Sequence, residues 1–531
     1  MYQRNHGNHI SLTVPDGVNN GLLKIARGYG SSLHKVLSAI LVLGLTVILV
    51  NLYWLRQMQT EHMQMHPTKI LNEGNKAPVV WVHAKNIESG YLQHVFNVFH
   101  RAGYFSGTRG SKWDVLWAHD YPFVQLQQDM QNLKPYQRVN KFPGSGFITN
   151  KVSLATSDIR FIPKAFKIPD QKKEFLHYSK EHPKLMWVQK SNHHRGIKIL
   201  PIDKLDLNSK GTFIQQYVDD PFLVDGRRFD IGIYTVLTSI DPLRVYIYDG
   251  DWLLRFCPEK YYPFNPDNKD KYVVGDEYLP IWRLPSLEKI YTSKSYTNKE
   301  TLLHYLRINH YNVEKLSNDI HAAIRGVYLN KEQNLITSSH KYPSKRNFFE
   351  LVRFDFVLDK DLNIYLMEVN MSPNLSSKHF PPNKLLYEQV VFGMLSLVGV
   401  ARSVTSGVQH GVHYGMDTSL DEMNMQVSDR DIQVNVDVCA SAKCEDSCFP
   451  NECKLCHSCL TAEQRAVLKS AYLEHISRRE FRRVFPPSFS SQAEAAHWTT
   501  KDEEKQEYNA LNRFMLNWFR AKCVQDLTWC L

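Results

Sequence analysis

Dense basic tracts are missing from this 531-residue chain. Its 64 Lys+Arg against 54 Asp+Glu leave a net charge of +10, which argues against a dedicated nucleic-acid binder and favours acidic protein partners. Cysteine is scarce: nine residues are too few to staple a chain of this length, so a disulfide-framework mini-protein is excluded. No fixed-period repeat is present, which excludes a solenoid or propeller array. What is present is globular. With 43% hydrophobic, 12% aromatic and 22% charged residues, the chain can bury large cores and is neither disordered nor collagen-like. Its length is a prior for about three domains.

Residues 1–35 form an N-terminal tail. From Val36 to Leu55 the run VLSAILVLGLTVILVNLYWL carries no charge, and about 20 residues at about 1.5 Å each reach across a ~30 Å hydrocarbon core. A single-pass transmembrane helix over 36–55 is therefore expected, making the membrane a partner. Lys24, Arg27 and Lys35 precede the run and Arg56 follows it, which puts the N-terminus in the cytosol by the positive-inside rule. A polar stalk, 56–75, follows. An N-terminal α/β lobe is expected over 76–160: Val79 to His83 and Trp113 to Ala118 read as strands. Between them Ser89 to Ala102 reads as a helix, with Leu92, Val95, Phe96 and Phe99 on one face. Over 161–403 the strand-like segments LMWVQK, TFIQQYV, FDIGIYTVLTS, LRVYIYD, FFELVRFDFVLD and IYLMEVN predict a mixed, largely antiparallel sheet with helices. Residues 404–438 lose periodicity and read as a linker, and 439–531 form a Cys-rich helical region. The fold class expected is α+β.

The segment Phe348 to Ser376 is the richest in chemistry. Two apolar strands flank the loop Lys360 to Asn363, and pairing centred there places Asp355 opposite Glu368. Alternation puts Glu368 and Asn370 on one face and Met367 and Val369 on the other. Two carboxylates and an amide oxygen are hard ligands that suit Mg²⁺, which usually completes its shell with water and substrate phosphates. The alternative is an ordinary hairpin with solvent-facing polar residues. Upstream, WVQKSNHHRGIKIL places Lys190 at a strand end before a turn with Arg195 and Gly196, a β-turn-β element able to fold over phosphates, although one glycine is few for such a loop. Gln215, Tyr217 and Val218 offer an adenine-edge segment. Arg228 and Asp230 share a face of the next strand, and Arg244 and Arg255 follow, each with a structural ion pair as its alternative role.

In this order the segments, together with WDVLWAHDYPF, QRVNKFPGSGFITNK and FIPKAFKIP, resemble the tubulin tyrosine ligase-like family of the ATP-grasp superfamily, in particular its polyglutamylase-like branch. The resemblance covers about residues 76 to 400. It implies ATP-grasp-type mixed sheets and an ATP-dependent protein–amino acid ligase. Such an enzyme activates a carboxylate of an acidic protein tail, such as that of tubulin, as an acyl phosphate, and an amino acid then displaces phosphate. Glutamate is the residue expected to be added, and tyrosine and glycine ligation also occur in the family. ATP and two Mg²⁺ ions are implied. By motif match, Asp355, Glu368 and Asn370 hold metal, Lys190 binds nucleotide phosphate, Gln215, Tyr217 and Val218 line the adenine pocket, and Arg228, Asp230 and Arg255 face nucleotide or substrate.

The chain departs from the family in three places. Gln216 stands where a lysine is usual, and Gly232 ends Arg228-Phe229-Asp230-Ile231-Gly232 where an arginine is usual. The His-Leu-Thr-Asn motif expected downstream of Arg255 is absent. A catalytically impaired, membrane-anchored ATP-binding module for protein partners is the alternative function.

Eight of the nine cysteines gather after residue 438: Cys439, Cys444, Cys448, Cys453, Cys456, Cys459, Cys523 and Cys530. They read either as a disulfide-stapled lobe or, through the Cys-x-x-Cys spacings around His457, as a zinc site. Thr461 with Gln464 and Thr500 with Glu503 read as capping boxes, with Tyr508, Leu511, Met515 and Trp518 on the apolar face of the second helix. Arg478, Arg479, Arg482 and Arg483 read as a basic run, either a solvated helix face or a contact for acidic tails and lipid headgroups.

Overall fold

The computed structural model describes residues 39–54, 77–192, 197–401, 423–499 and 507–531. The N-terminal tail, the stalk, Arg195, Gly196 and the Thr500–Glu503 capping box lie outside the described residues. The chain divides into two units, Met1–Leu71 and Asn72–Leu531.

In the first unit residues 39–54 are helical. This helix spans about 24 Å at 1.5 Å per residue, short of a ~30 Å hydrocarbon core. No helix among the described residues is long and apolar enough to cross a membrane. The expected transmembrane helix over 36–55 is therefore corrected, and with it the single-pass localisation with a cytosolic N-terminus and the membrane as partner.

The second unit carries three sheets. The first contains β1 (Val79–His83), β2 (Phe105–Gly107), β3 (Val115–Ala118) and β4 (Arg138–Val139), all parallel in the order β2-β1-β3-β4. Helix α1 (Gln93–Arg101) covers it, burying Val95, Phe96, Val98 and Phe99. The second sheet contains β5 (Ala165–Ile168), β6 (Trp187–Ser191), β7 (Lys198–Leu200) and β8 (Thr212–Gln216), antiparallel in the order β5-β8-β6-β7. Phe166, Phe175, Trp187 and Ile214 form its core.

The third sheet is the largest. It runs β13 (Ile364–Asn370), β12 (Glu350–Leu358), β9 (Phe229–Ile240), β10 (Leu243–Tyr248) and β14 (Phe481–Phe485), with β11 (Leu253–Phe256) beside β9. Every pairing in it is antiparallel. Strands β9 and β12 are buried on both faces, which explains their near-continuous Ile, Val, Phe and Tyr content. Helix α2 (Val313–Ser339) packs on this sheet; the Asn312 side chain caps it by accepting from the Lys315 N–H, and Leu316, Ile320, Ile324 and Val327 are its buried stripe. Helix α3 (Lys384–Leu397) joins α1 and the third sheet in one core.

The C-terminal region is woven into this sheet. Strand β14 carries Arg482 and Arg483 of the basic run, with Arg478 and Arg479 just before it, and Arg483 is buried under the Phe519 ring at 3.8 Å, donating to the Pro486 and Trp529 carbonyls. Arg483 thus departs from both readings of that run, because alternation along the strand turns it inward, whereas Arg479 is exposed and Arg478 and Arg482 are half-buried. Arg244 is likewise structural: it makes a buried pair with Glu474 of α4 (Ala462–Ser477) at 2.8 Å. The Thr461–Gln464 capping box is present. Helix α5 (Ala510–Gln525) is capped by Asn509, and Tyr508, Met515 and Trp518 are buried, while Leu511 is exposed. Residues 423–438, read as linker, include short helical turns with Val427, Ile432 and Val434 buried. The cysteines form the disulfides Cys439–Cys456, Cys444–Cys453, Cys448–Cys459 and Cys523–Cys530. The zinc alternative is thereby set aside, since a disulfide sulfur is not a thiolate ligand.

Candidate active site

The hairpin β12–β13 forms with Asp355 directly opposite Glu368 and Arg353 opposite Asn370, the register shifting by one residue between Asp355 and Phe356, where Phe356 faces Leu366. Its turn is tight: the Asp359 carboxylate accepts from the Asp361 and Asn363 amides, and Leu362 takes a positive φ of 60°. Because side chains alternate, Arg353, Asp355, Glu368 and Asn370 emerge on one face. The Asn370 amide donates to Asp355 Oδ2 at 2.8 Å and to Glu368 Oε1 at 3.1 Å.

Strands β9 and β11 close the other side. Arg255 lies opposite Asp230 and donates to both of its oxygens, at 2.9 and 2.7 Å, while also reaching Asp355 Oδ2 at 2.8 Å. Burial raises the Asp230 carboxyl above the usual range despite the pull of Arg255. Glu368 behaves oppositely: burial would raise it, but the Lys151 ammonium at 2.8 Å and the Asn370 amide outweigh that and hold it down to about 2.

The second sheet supplies the nucleotide-side residues. Lys190, near the end of β6, donates to Gln215 Oε1 at 3.0 Å, and the Gln215 amide donates to the Pro163 carbonyl. Burial lowers the Lys190 ammonium to about 8; the Glu368 charge opposes this, and Lys151 and Arg228 add to it. Arg228 is turned toward the segment after β8, donating to the Tyr217 hydroxyl at 2.8 Å and the Val218 carbonyl at 2.9 Å. Tyr217 and Val218 are both buried. Thus Asp230, Arg255, Asp355, Glu368 and Asn370 form one bonded network. Lys190 with Gln215 and Arg228 with Tyr217 and Val218 form two pairs beside it, coupled to the network by the charge of Glu368 on Lys190.

Two members were not anticipated. Lys151 lies within QRVNKFPGSGFITNK, and only the fold brings it to Glu368. Arg353 stands two residues before Asp355, so strand alternation was a signal for it. A cleft of about 880 Å³ opens beside Asn370, lined by His119, Lys151, Lys341 and Ser372 among others.

Among the described residues no group of three or more His, Cys, Asp or Glu side chains forms a metal cage. The donor chemistry at Glu368 and Asn370, a carboxylate and an amide oxygen, fits one hard divalent cation that shares its shell with phosphates and water. Asp355 is different, because two guanidinium groups already engage both of its oxygens.

A family model described as "Tubulin-tyrosine ligase family" matches residues 127–406. The chain is 40% identical over 466 residues to "Probable tubulin polyglutamylase ttll-15" of Caenorhabditis elegans, covering 86% of this chain and 87% of that protein. It is 29% identical over 310 residues to "Tubulin polyglutamylase TTLL6" of Homo sapiens, covering 55% of this chain and 34% of the relative. Against "Tubulin polyglutamylase TTLL7" of Homo sapiens it is 29% identical over 281 residues, covering 47% of this chain and 31% of the relative. The chain therefore spans about a third of the length of these human relatives.

Proposed function

Because this chain belongs to the tubulin-tyrosine ligase family, we infer that it is an ATP-dependent ligase that joins glutamate to a carboxylate of an acidic protein tail of the tubulin type. The observation that carries this reading is the convergence of Glu368 and Asn370 with Asp355, Asp230 and Arg255, next to the Lys190–Gln215 pair. In the reaction an acceptor carboxylate oxygen bonds to the γ-phosphorus as the bond to ADP breaks. The amine nitrogen of glutamate then bonds to the acyl carbon, loses a proton, and phosphate departs.

Each group has a task in this scheme. Tyr217, Val218 and Gln215 receive the adenine, with Arg228 fixing the Tyr217 ring and the Val218 carbonyl. Lys190 offsets phosphate charge. Glu368 and Asn370 would hold a divalent cation, which when bound supplies charge neutralisation at the phosphates. Arg255 holds Asp230 and Asp355 in place, and Lys341 gives the adjoining cleft a charge to draw an acidic tail.

The test is incorporation of labelled glutamate by the full chain, with ATP and Mg²⁺, into tubulin and into Glu-rich peptides. Transfer that requires ATP is the expected result. The engagement of both Asp355 oxygens by guanidinium groups favours a second reading, an impaired ligase that binds nucleotide without transferring. ATP binding with no transfer to any acceptor would select that reading.

Lys190 also gives the site a pH signature. A polyanion binds the protonated lysine, so ATP affinity is expected to be constant below pH about 8 and to weaken by up to about tenfold per pH unit above it. Calorimetric titration across that range measures this. Lys190→Arg, which keeps its charge, is expected to remove the step, and an unchanged step would assign it to another group.

A further inference from the structure

Asp355 is short of the free lone pairs that a metal ligand needs. Its Oδ1 accepts from Arg353 Nε at 2.6 Å, and its Oδ2 accepts from Arg353 Nη2, Arg255 Nη2 and Asn370 Nδ2, each at 2.8 Å. Three of the four donors crowd Oδ2 and one meets Oδ1, which leaves about one of the roughly four acceptor positions open, on Oδ1. The Arg353 contact is the two-pronged fork that fits a carboxylate plane best, and both side chains are almost fully buried.

The neighbouring strand explains how a buried arginine fits there. Gly232 of β9 lies opposite Asp355, and a Cβ built on it would come within 2.8 Å of Arg353 Cδ and 3.1 Å of Arg353 Nε. The Arg353 side chain thus fills the volume that any other residue at 232 would take. One strand lacks a side chain where the next strand lays a guanidinium, and that guanidinium is permanently charged.

We propose that Arg353, admitted by Gly232, is a built-in cation that takes the place of a divalent ion at Asp355, leaving Glu368 and Asn370 to hold a single ion. This rests on the reading of the site as an ATP site. A guanidinium and a hydrated divalent ion both neutralise the carboxylate, but the guanidinium is held by the fold and does not exchange with solvent. Arg353 is in this sense a positioning residue: it fixes Asp355 and supplies charge through it.

The test counts ions. The full chain is dialysed to equilibrium against Mn²⁺ and a non-hydrolysable ATP analogue, with bound nucleotide and bound Mn²⁺ measured together and the metal checked by electron paramagnetic resonance. One Mn²⁺ per bound nucleotide is expected for the natural chain, and two for Arg353→Gly. Arg353→Met, which keeps the apolar stem, serves if the glycine variant fails to fold by circular dichroism, and it too is expected to bind two. Two ions in the natural chain would overturn the proposal, whatever the variants do. One ion in the natural chain and in the folded variants would also overturn it, because Arg353 would not then set the count. Absence of bound nucleotide in the natural chain is a different failure, that of the ATP-site reading itself.

Discussion

Glu368→Gln is expected to reduce amino-acid transfer on the order of 10³-fold while leaving the fold intact. Unlike Asp355, Glu368 has bonding to neighbours that leaves room for an ion: Lys151 meets one oxygen and the Asn370 amide the other. Held at about 2 by Lys151 against the opposing effect of burial, it is ionised at every working pH. Its contribution to stability is complete above the ordinary carboxylate value and is lost only as pH falls toward 2. Glutamine keeps the shape and an oxygen for Lys151 but removes the charge, so the loss falls on charge stabilisation in the transition state rather than on packing. The expected signature is a collapse of kcat with a modest change in KM for ATP, read from initial rates of glutamate incorporation, alongside a melting transition that stays cooperative but shifts down because the Lys151 pairing is lost. A variant with more than about a tenth of natural activity would remove Glu368 from the machinery.

The hairpin was legible in the sequence because two alternating strands flank a polar turn, but the facing of Asp355 and Glu368 also depends on a one-residue register shift beside Asp355, without which the turn register would set Met367 opposite it. Lys190 and Gln215 were legible one by one, yet their contact depends on β6 pairing directly with β8 although β7 lies between them in the sequence. Arg353 shows the limit more sharply. Its position on the ligand face followed from alternation, but its role depends on the empty volume over Gly232, which exists only once β9 lies beside β12. The C-terminal region was the least legible. Four arginines within six residues read as surface charge, and only pairing of β14 with β10 and the aromatic rings of α5 makes Arg483 an interior residue. The apolar run at 36–55 shows the converse: composition set an upper bound on a spanning helix, and the described helix covers only residues 39–54 of it.

An arginine placed at position 232 alone is expected to be severely destabilising. Gly232→Arg would place a third guanidinium in a buried network where Arg255 and Arg353 already occupy Asp230 and Asp355. The built Cβ also meets Leu253 Cβ at 3.3 Å and Arg353 Cδ at 2.8 Å, and the latter lies midway along its chain and has little room to withdraw. Overpacking of this kind costs about 1–3 kcal/mol, and a buried charge without a partner costs about 3–5 kcal/mol more. Together these approach the whole stability of a typical domain, about 5–15 kcal/mol, so the single variant is expected to lose its cooperative melting transition or its solubility. Adding Arg353→Gly moves the cation from β12 to β9, keeps the charge count and vacates the contested volume. The double variant is therefore expected to recover most of the lost stability, with a coupling energy of about 3 kcal/mol or more between sites in direct contact. Additive losses in chemical denaturation of the natural chain, both single variants and the double variant would mean that the two positions do not share one space, and the match between Gly232 and Arg353 would lose its physical basis.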